Sequence, residues 1–91
     1  MTAPITFDPA KNRFNLDKHG VPLSLAAGIL AARSCTFMDE RRDYGEDRFV
    51  SFGYHDSRLY VVIWTQRDVT RRIISVRKAN QREIKRYGRH E

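Results

Sequence analysis

The sequence contains a single cysteine, Cys35, and no long apolar run. One cysteine excludes an intrachain disulfide framework and a zinc knuckle, because each needs several thiols. Cys35 stands in the apolar stretch SCTF, so we interpret it as a small buried hydrophobic residue rather than a nucleophile. The apolar runs are far shorter than the roughly 20 residues of a membrane-spanning helix, and no signal peptide is visible. A reducing cytoplasm is the expected compartment.

Acidic residues are scarce in the last third of the chain. The segment from Arg58 to Glu91 carries ten Lys and Arg against three Asp and Glu, whereas residues 1–57 carry seven against eight. The formal net charge of +6 is therefore concentrated in the second part of the sequence. Such asymmetry favours a polyanionic partner, since each phosphate that a basic side chain neutralises releases condensed counterions. A basic surface that merely aids solubility is the alternative.

The length of 91 residues suits one domain with one modest core, and we predict a single domain over residues 1–91. Asp8-Pro9 begins a first helix that Gly20 closes. Further elements are predicted from apolar periodicity: a strand over 5–8, a helix over 22–33, strands over 35–40, 48–55, 59–65 and 71–78, and a helix over 79–88. The order β-α-α-β-β-β-β-α predicts an α+β fold in which helices pack on an antiparallel meander.

The predicted strand 71–78, RRIISVRK, is apolar in its middle and basic at both ends. Strict alternation places on one face Arg71, Ile73, Ser75 and Arg77. A guanidinium at Arg77 would be partly desolvated by the neighbouring apolar strand, where its attraction for phosphate is less screened. Arg67 follows that apolar strand, so we expect Arg67 and Arg77 to converge on one concave surface. Taken alone, each arginine is better explained as a strand-end side chain that reaches solvent or pairs with an acid such as Glu46.

The first predicted helix carries a polar face formed by Lys11, Asn15 and Lys18, with His19 beside its C-cap. The helix dipole favours the protonated form of a histidine at that position. This arrangement suits either a proton donor or a simple capping group, and from spacing alone capping is the simpler interpretation.

Three segments of the chain resemble the BrnT family of bacterial toxins. They are FDPAKNRFNLDKHGV, DERRDYGEDRFVSFGY and VVIWTQRDVTRRIISVRKANQREIKRY, and the resemblance extends from Ile5 to Tyr87. Its distinguishing features are KHGV, the T-x-R after the apolar strand, and RIIS-x-RKA. Two positions depart from the family pattern, because Phe7 stands where tryptophan is common and Val76 where alanine is usual. Both departures are interpreted as packing changes.

The resemblance implies a RelE-like ribonuclease fold and the toxin of a type II toxin–antitoxin pair, which inhibits translation and growth. Its partner would be a BrnA-like antitoxin with a ribbon-helix-helix DNA-binding part, through which the complex would bind operator DNA. The implied reaction is metal-independent endonucleolytic cleavage of RNA, in which a 2′-hydroxyl attacks the neighbouring phosphorus. The sequence shows no Asp/Glu/His cluster with metal-site spacing, which fits such a reaction. No cofactor and no membrane association are expected.

The same resemblance indicates the site residues. Arg67 and Arg77, at the T-x-R and RIIS-x-R positions, are expected to stabilise the phosphorane, because a planar guanidinium grips two oxygens. Lys18 and His19 of the KHG motif are expected to transfer protons, with Glu46 as a further base or as a group that orients an arginine. The expected RNA-binding residues are Lys11, Arg48, Arg71, Lys78 and Tyr87.

Two other classes of function remain compatible with the sequence. A non-catalytic basic module that binds RNA or DNA would show salt-sensitive binding and leave RNA intact. A pure interaction protein, whose basic face only docks an acidic partner segment, would bind no nucleic acid even at low salt.

Overall fold

The computed structural model describes residues 4–41 and 43–89. Its elements are β1 (Ile5–Thr6), α1 (Pro9–His19), a 3-10 turn (Leu23–Leu25), α2 (Ala26–Ala31), β2 (Arg33–Met38), β3 (Phe49–His55), β4 (Arg58–Arg67), β5 (Thr70–Lys78) and α3 (Gln81–Tyr87). Three helices and one five-stranded sheet confirm the predicted α+β class. Among these helices none has the length and apolar character that crossing a membrane requires.

The sheet is mixed rather than purely antiparallel, with strand order β1-β5-β4-β3-β2. Strands β2 to β5 form the predicted antiparallel meander. The short strand β1, however, pairs in parallel with β5, with Ile5 opposite Arg71 and Thr6 opposite Arg72. Periodicity did not reveal this pairing, because a two-residue strand carries too few side chains to show which neighbour it joins.

Local signals determine both ends of α1. The Asp8 Oδ1 atom accepts a hydrogen bond of 2.8 Å from the Ala10 amide, and Pro9 occupies the first turn. At the other end Gly20 adopts a left-handed φ of 75° and its amide donates to the Leu16 carbonyl. The predicted boundaries of this helix are therefore confirmed.

The second predicted helix is shorter than expected and is split. The segment over 22–33 forms the 3-10 turn and then the six residues of α2. The spacing i, i+3, i+4, i+7 predicts a core-facing stripe of Leu23, Ala26, Ala27 and Leu30 on this helix. Leu23, Ala26 and Leu30 are buried, but Ala27 is exposed and Ile29 is buried instead. The helix ends early because the chain joins the sheet at Arg33, which pairs with Gly53 of β3.

The almost wholly apolar run 59–65 is typical of a central strand covered on both faces, and β4 does bury apolar side chains on both faces of the sheet. The face that we call the α2 face carries Tyr60, Val62 and Trp64 of β4, packed with α2 and the 3-10 turn. The opposite face, the α3 face, carries Leu59 and Val61 together with Val50 and Phe52 of β3. Cys35 packs half-buried against this second cluster, and burial raises the pKa of its thiol.

A β-bulge in β5 overturns the strict alternation expected for residues 71–78. Ile74 is an extra residue, since the β4 neighbours Ile63 and Trp64 pair with Ser75 and Ile73. Residues before the bulge therefore change face relative to those after it. Arg71 lies on the α2 face, with its guanidinium carbon 5.1 Å from the centroid of the Trp64 ring. Arg77 pairs with Val61 and lies on the α3 face, so the prediction that Arg71 and Arg77 share a face is wrong.

Asn15 joins α1 to the outer edge of β5. Its Nδ2 donates hydrogen bonds of 2.9 Å to the Val21 carbonyl and 2.8 Å to the Val76 carbonyl. Its Oδ1 accepts a bond of 3.1 Å from the Val76 amide. The amide side chain thus satisfies the edge of β5 at Val76, where none of the described strands pairs with it on this side. These bonds hold the C-terminal end of α1, with His19, beside the segment of β5 that carries Arg77.

Candidate functional site

The C-terminal end of α1 and strand β5 bring several of the predicted site residues together. Lys11, Lys18 and His19 line a shallow cavity of about 290 Å³ whose other wall includes Ser75 of β5. We call this cavity the α1–β5 cleft. Arg77 lies close enough to His19 for its charge to act on the imidazole. The KHG motif and the RIIS-x-R arginine, distant in sequence, are therefore neighbours in space.

Burial and positive neighbours lower the pKa of His19 from its ordinary value of 6.5. Burial is the largest cause, followed by the charges of Lys18 and Arg77. The helix dipole was expected to favour the protonated form, and that expectation is wrong in direction. Desolvation and two nearby cations outweigh the partial negative charge at the helix end. The lowered pKa favours the neutral imidazole, which is the form able to accept a proton.

Arg77 is held by a carboxylate of α3. Its Nη1 and Nη2 donate hydrogen bonds of 2.7 and 2.8 Å to the two carboxylate oxygens of Glu83. Glu83 also forms the capping box of α3, accepting from the Asn80 amide while its own amide donates to Asn80 Oδ1. The hydrogen bonds to Glu83 raise the pKa of Arg77, so the guanidinium stays charged in a fixed orientation. Its side chain remains 35% exposed and can meet a ligand.

Glu46 bridges two other predicted residues at the far end of the sheet. One carboxylate oxygen lies 3.4 Å from Arg67 Nη2, and the other lies 3.6 Å from Arg48 Nε. The Arg48 guanidinium carbon also lies 4.0 Å from the centroid of the Tyr44 ring. We call Glu46, Arg48 and Arg67 the Glu46 cluster. This geometry suits a carboxylate that orients arginines rather than one that acts alone as a base.

The structure does not place Arg67 and Arg77 around a common phosphate. Arg77 pairs with Val61, and Arg67 lies six residues further along β4 on the same face. At about 3.3 Å per residue the two positions are roughly 20 Å apart along the strand. Each guanidinium is also paired with its own carboxylate, Glu83 or Glu46. The two arginines therefore share the α3 face but occupy opposite ends of it.

The remaining predicted RNA-binding residues are dispersed. Arg71 lies on the α2 face, where burial and then the charge of Arg33 lower its pKa. Lys78 is exposed at the end of β5, opposite Tyr60. The Tyr87 ring stacks on Phe52 at a centroid distance of 4.2 Å, so one face of the ring is already occupied. These three side chains do not form one surface with the α1–β5 cleft.

A groove between β2 and α3 was not indicated by the sequence analysis. Its volume is about 580 Å³. We call it the β2–α3 groove. Its apolar lining comprises Phe37, Met38, Val50, Phe52, Val61, Ile63 and Tyr87, and its charged lining comprises the arginines Arg41, Arg77, Arg82 and Arg86 and the acids Asp39, Glu40 and Glu83. The spacing of Arg82 and Arg86, four residues apart on a short helix, was the one sequence signal that could have revealed a basic rim.

Asp39 fixes Arg41 at the edge of this groove. The Arg41 Nε and Nη2 atoms each donate a 2.8 Å hydrogen bond to the carboxylate, and the Tyr44 hydroxyl donates a third of 3.2 Å. These bonds, chiefly those from Arg41, lower the pKa of Asp39 to about 2. Other carboxylates stand nearby, yet within residues 4–41 and 43–89 no group of three or more His, Cys, Asp and Glu is arranged to hold a metal ion.

Comparison with known proteins identifies the family. A search of curated proteins finds no relative. A family model described as "Ribonuclease toxin, BrnT, of type II toxin-antitoxin system" matches residues 7–83. The match contains the α1–β5 cleft, the Glu46 cluster and the Arg77–Glu83 pair. Because it spans most of the sequence, the chain belongs to the BrnT family of ribonuclease toxins of type II toxin–antitoxin systems.

Proposed function

We propose that this chain is a metal-independent endoribonuclease with a RelE-like fold, which inhibits translation and growth by cutting RNA in the cytoplasm. The observation that carries the proposal is the α1–β5 cleft, which Lys18 and His19 line, together with the charge of Arg77 that acts on the imidazole. A neutral imidazole beside fixed positive charge provides both a proton acceptor and a stabiliser of a phosphorane. Membership of a ribonuclease toxin family supports the same class of reaction.

The roles follow from the protonation states. Neutral His19 takes the proton of the 2′-hydroxyl while its oxygen forms a bond to phosphorus. The charged Arg77 stabilises the negative oxygens of the phosphorane, and Lys18 donates a proton to the 5′-oxygen as its bond to phosphorus breaks. The products are a 2′,3′-cyclic phosphate and a free 5′-hydroxyl. Glu83 acts through Arg77, whose fork it holds in one orientation.

The Glu46 cluster has a separate role in this proposal. Arg67 and Arg48 lie too far from Arg77 to bind the same phosphate. Arg67 lies on the same face of the sheet as Arg77, and Arg48 contacts Glu46 at the border of that face. We infer that they bind the RNA backbone further along the strand, with Glu46 setting their orientation. Loss of Arg67 is then expected to weaken RNA binding more than it slows the chemical step.

Cleavage by the purified chain in the presence of a chelator tests the reaction. We expect RNA fragments that end in a 2′,3′-cyclic phosphate. Arg77→Ala should lower the single-turnover rate by roughly 10²–10³, the usual effect of removing one transition-state donor. The matched control is Arg58→Ala, which removes an exposed arginine at the start of β4 outside both sites. A dependence on added divalent metal would overturn the metal-independent reaction.

Loss of Arg77 also leaves Glu83 without its partner, so folding must be measured alongside cleavage. Circular dichroism melts of Arg77→Ala and Arg77→Lys provide this control, since lysine keeps the charge but loses the planar fork. We expect Arg77→Lys to fold and to remain slow. If the wild-type chain binds RNA in a salt-sensitive manner but leaves it intact, the chain is instead a non-catalytic binding module.

We further propose that the neutralising partner is a BrnA-like antitoxin with a ribbon-helix-helix part, and that operator DNA is bound only through it. The family supplies the existence of an antitoxin partner. Gel-shift assays with operator DNA should show no specific shift with the toxin alone and a specific shift with the complex. A specific shift by the toxin alone would contradict this part of the proposal.

A further inference from the structure

Phe14 presents an exposed aromatic ring on α1. Its side chain is 65% exposed, although phenylalanine is among the residue types most often buried. The other exposed phenylalanine, Phe37, contacts the rings of Phe52 and Tyr87 at centroid distances of 6.1 and 5.7 Å. Within the part of the chain that the structure describes, no aromatic ring contacts Phe14. The packing of the described chain therefore leaves this ring available to a ligand.

The surroundings of Phe14 are basic. Lys11 precedes it by three residues and Lys18 follows it by four, the spacing that brings side chains together on one face of a helix. All three line the α1–β5 cleft, and none of the described residues that line this cleft is acidic. The Lys18 ammonium lies 5.7 Å from the centroid of the ring, near the outer limit of a cation–π contact. The cleft thus combines an aromatic face with positive charge, the two features by which proteins hold single-stranded RNA.

Strand β5 connects the cleft to Arg77. Ser75 lines the cleft from the β5 side. The register with β4 places Ser75 and Arg77 on the same face of the sheet, two residues and about 7 Å apart. On the helix, Phe14 and His19 are separated by a rise of about 7.5 Å. A nucleotide whose phosphate lies at Arg77 can therefore place its own base, or the base of its neighbour, in the cleft.

We propose that Phe14 is the base-stacking residue of the α1–β5 cleft. Its ring packs against one base next to the cleaved bond, and Lys11 pairs with the adjoining phosphate. This contact holds the strand so that its 2′-hydroxyl meets His19. The inference rests on the proposed function, because it takes the substrate to be single-stranded RNA cleaved beside His19. Every base has a π-face, so the ring adds affinity at one position without requiring one particular base.

Binding of a short single-stranded RNA that cannot be cleaved tests the inference. A 2′-deoxy nucleotide at the mapped cut removes the nucleophile, so fluorescence anisotropy measures the affinity of the full wild-type chain. Phe14→Ala should weaken binding about fivefold to a hundredfold, the usual effect of losing one base–aromatic stack. Phe14→Tyr should retain the affinity. Phe14→Leu keeps apolar volume but has no π-face, so it should bind as weakly as Phe14→Ala.

Replacing one base at a time by an abasic site locates the stack. For the wild-type chain, one abasic position next to the cut should lose as much affinity as Phe14→Ala does. The same abasic RNA should lose little more in Phe14→Ala, because the two changes remove one shared contact. In cleavage assays Phe14→Ala should raise KM, while the rate with saturating chain changes little.

Leu16→Ala is the matched control. Leu16 lies two residues later on α1, is 44% exposed and is not among the residues that line the cleft. Both substitutions replace an exposed apolar side chain with alanine, the residue of highest helix propensity, so both variants should melt like the wild type by circular dichroism. Leu16→Ala should leave RNA affinity unchanged. Equal losses of affinity in the two variants would overturn the proposal.

The remaining outcomes are also decisive. If Phe14→Leu binds as tightly as the wild type, the contact is one of apolar surface and the stack is refuted. Equal losses at every abasic position, or a coupling that is absent at all of them, would refute it as well. A chain that cleaves RNA while Phe14→Ala binds normally refutes only the stack. A chain whose binding depends on Phe14 and on one base, but which leaves unmodified RNA intact, refutes only the proposed reaction.

Discussion

Asn15→Ala should destabilise the fold far more than an ordinary helix substitution. The side chain is 4% exposed and makes three hydrogen bonds, one to the Val21 carbonyl and two to the backbone of Val76. Each bond contributes about 1 kcal/mol, and each buried group left unpaired costs about 1–3 kcal/mol. Alanine regains about 0.5 kcal/mol through its higher helix propensity. We therefore expect a loss of roughly 3–5 kcal/mol from a total of roughly 5–14 kcal/mol for this chain length.

Urea denaturation followed by circular dichroism measures this loss directly. The matched control is Asn12→Ala, one turn earlier on α1, which removes a single 2.7 Å hydrogen bond from the Leu23 amide. It should cost about 1 kcal/mol. If Asn15→Ala costs no more than Asn12→Ala, the Asn15 side chain does not hold α1 to β5, and the placement of His19 must have another origin.

Three further predictions concern acid stability, close packing and the cleft. Asp39→Asn should lower the free energy of unfolding by about 1–2 kcal/mol at pH 7, a figure reduced because Arg41 is exposed to solvent. The pKa of Asp39 in the folded chain is lowered to about 2, so the stabilisation is present above about pH 4 and is lost as the pH falls towards 2. Gly53→Ala should lower the free energy of unfolding by about 1–3 kcal/mol, since its Cβ would overlap a carbonyl oxygen of α2. The His19 imidazole should titrate below 6.5 by nuclear magnetic resonance, and Lys18→Ala should raise that midpoint.

Each of these predictions has its own counter-result. If Asp39→Asn loses as much stability between pH 4 and pH 2 as the wild-type chain, the Asp39–Arg41 pair is not the cause of that loss. For the glycine, the comparison is Gly28→Ala at an exposed position of α2. A new Cβ there meets only the His55 ring, with Nδ1 at 3.3 Å and Cε1 at 3.6 Å, and stability should change little. Equal losses in both glycine variants would contradict the close approach of α2 to β3. If the His19 imidazole titrates with a midpoint at or above 6.5, its surroundings do not lower its pKa, and His19 is a capping residue of α1.

Segments whose structure is specified by interactions between residues close in sequence were predicted correctly. Asp8, Pro9 and Gly20 mark the ends of α1 within a few residues. The segment DSR at 56–58, between two predicted strands, is typical of a tight hairpin. The turn between β3 and β4 is formed there by Asp56 and Ser57, both with positive φ. The motifs KHG and RIIS-x-R identified the family, which the match over residues 7–83 confirms. In each case a short run of residue types is sufficient, because the interactions join near neighbours in sequence.

Other features depend on residues distant in sequence. The bulge at Ile74 arises from the register with β4, and it transfers Arg71 to the opposite face from Arg77. The direction of the His19 pKa shift was inverted, because burial and Arg77 of another element outweigh the local helix dipole. Period-two alternation and helix-end rules contain no information on either effect.

The sequence by itself determined the α+β class, the limits of α1, the β3–β4 hairpin and membership of a ribonuclease toxin family. Only the tertiary structure decided that Arg67 and Arg77 occupy opposite ends of one face, that the charge of Arg77 acts on His19, and that a groove lined by apolar side chains, arginines and carboxylates lies between β2 and α3. The physical reason is the separation in sequence between the residues that interact. Capping, turn geometry and motif chemistry act over a few residues, whereas strand register, desolvation and the charge around a site are summed over neighbours that only folding brings together.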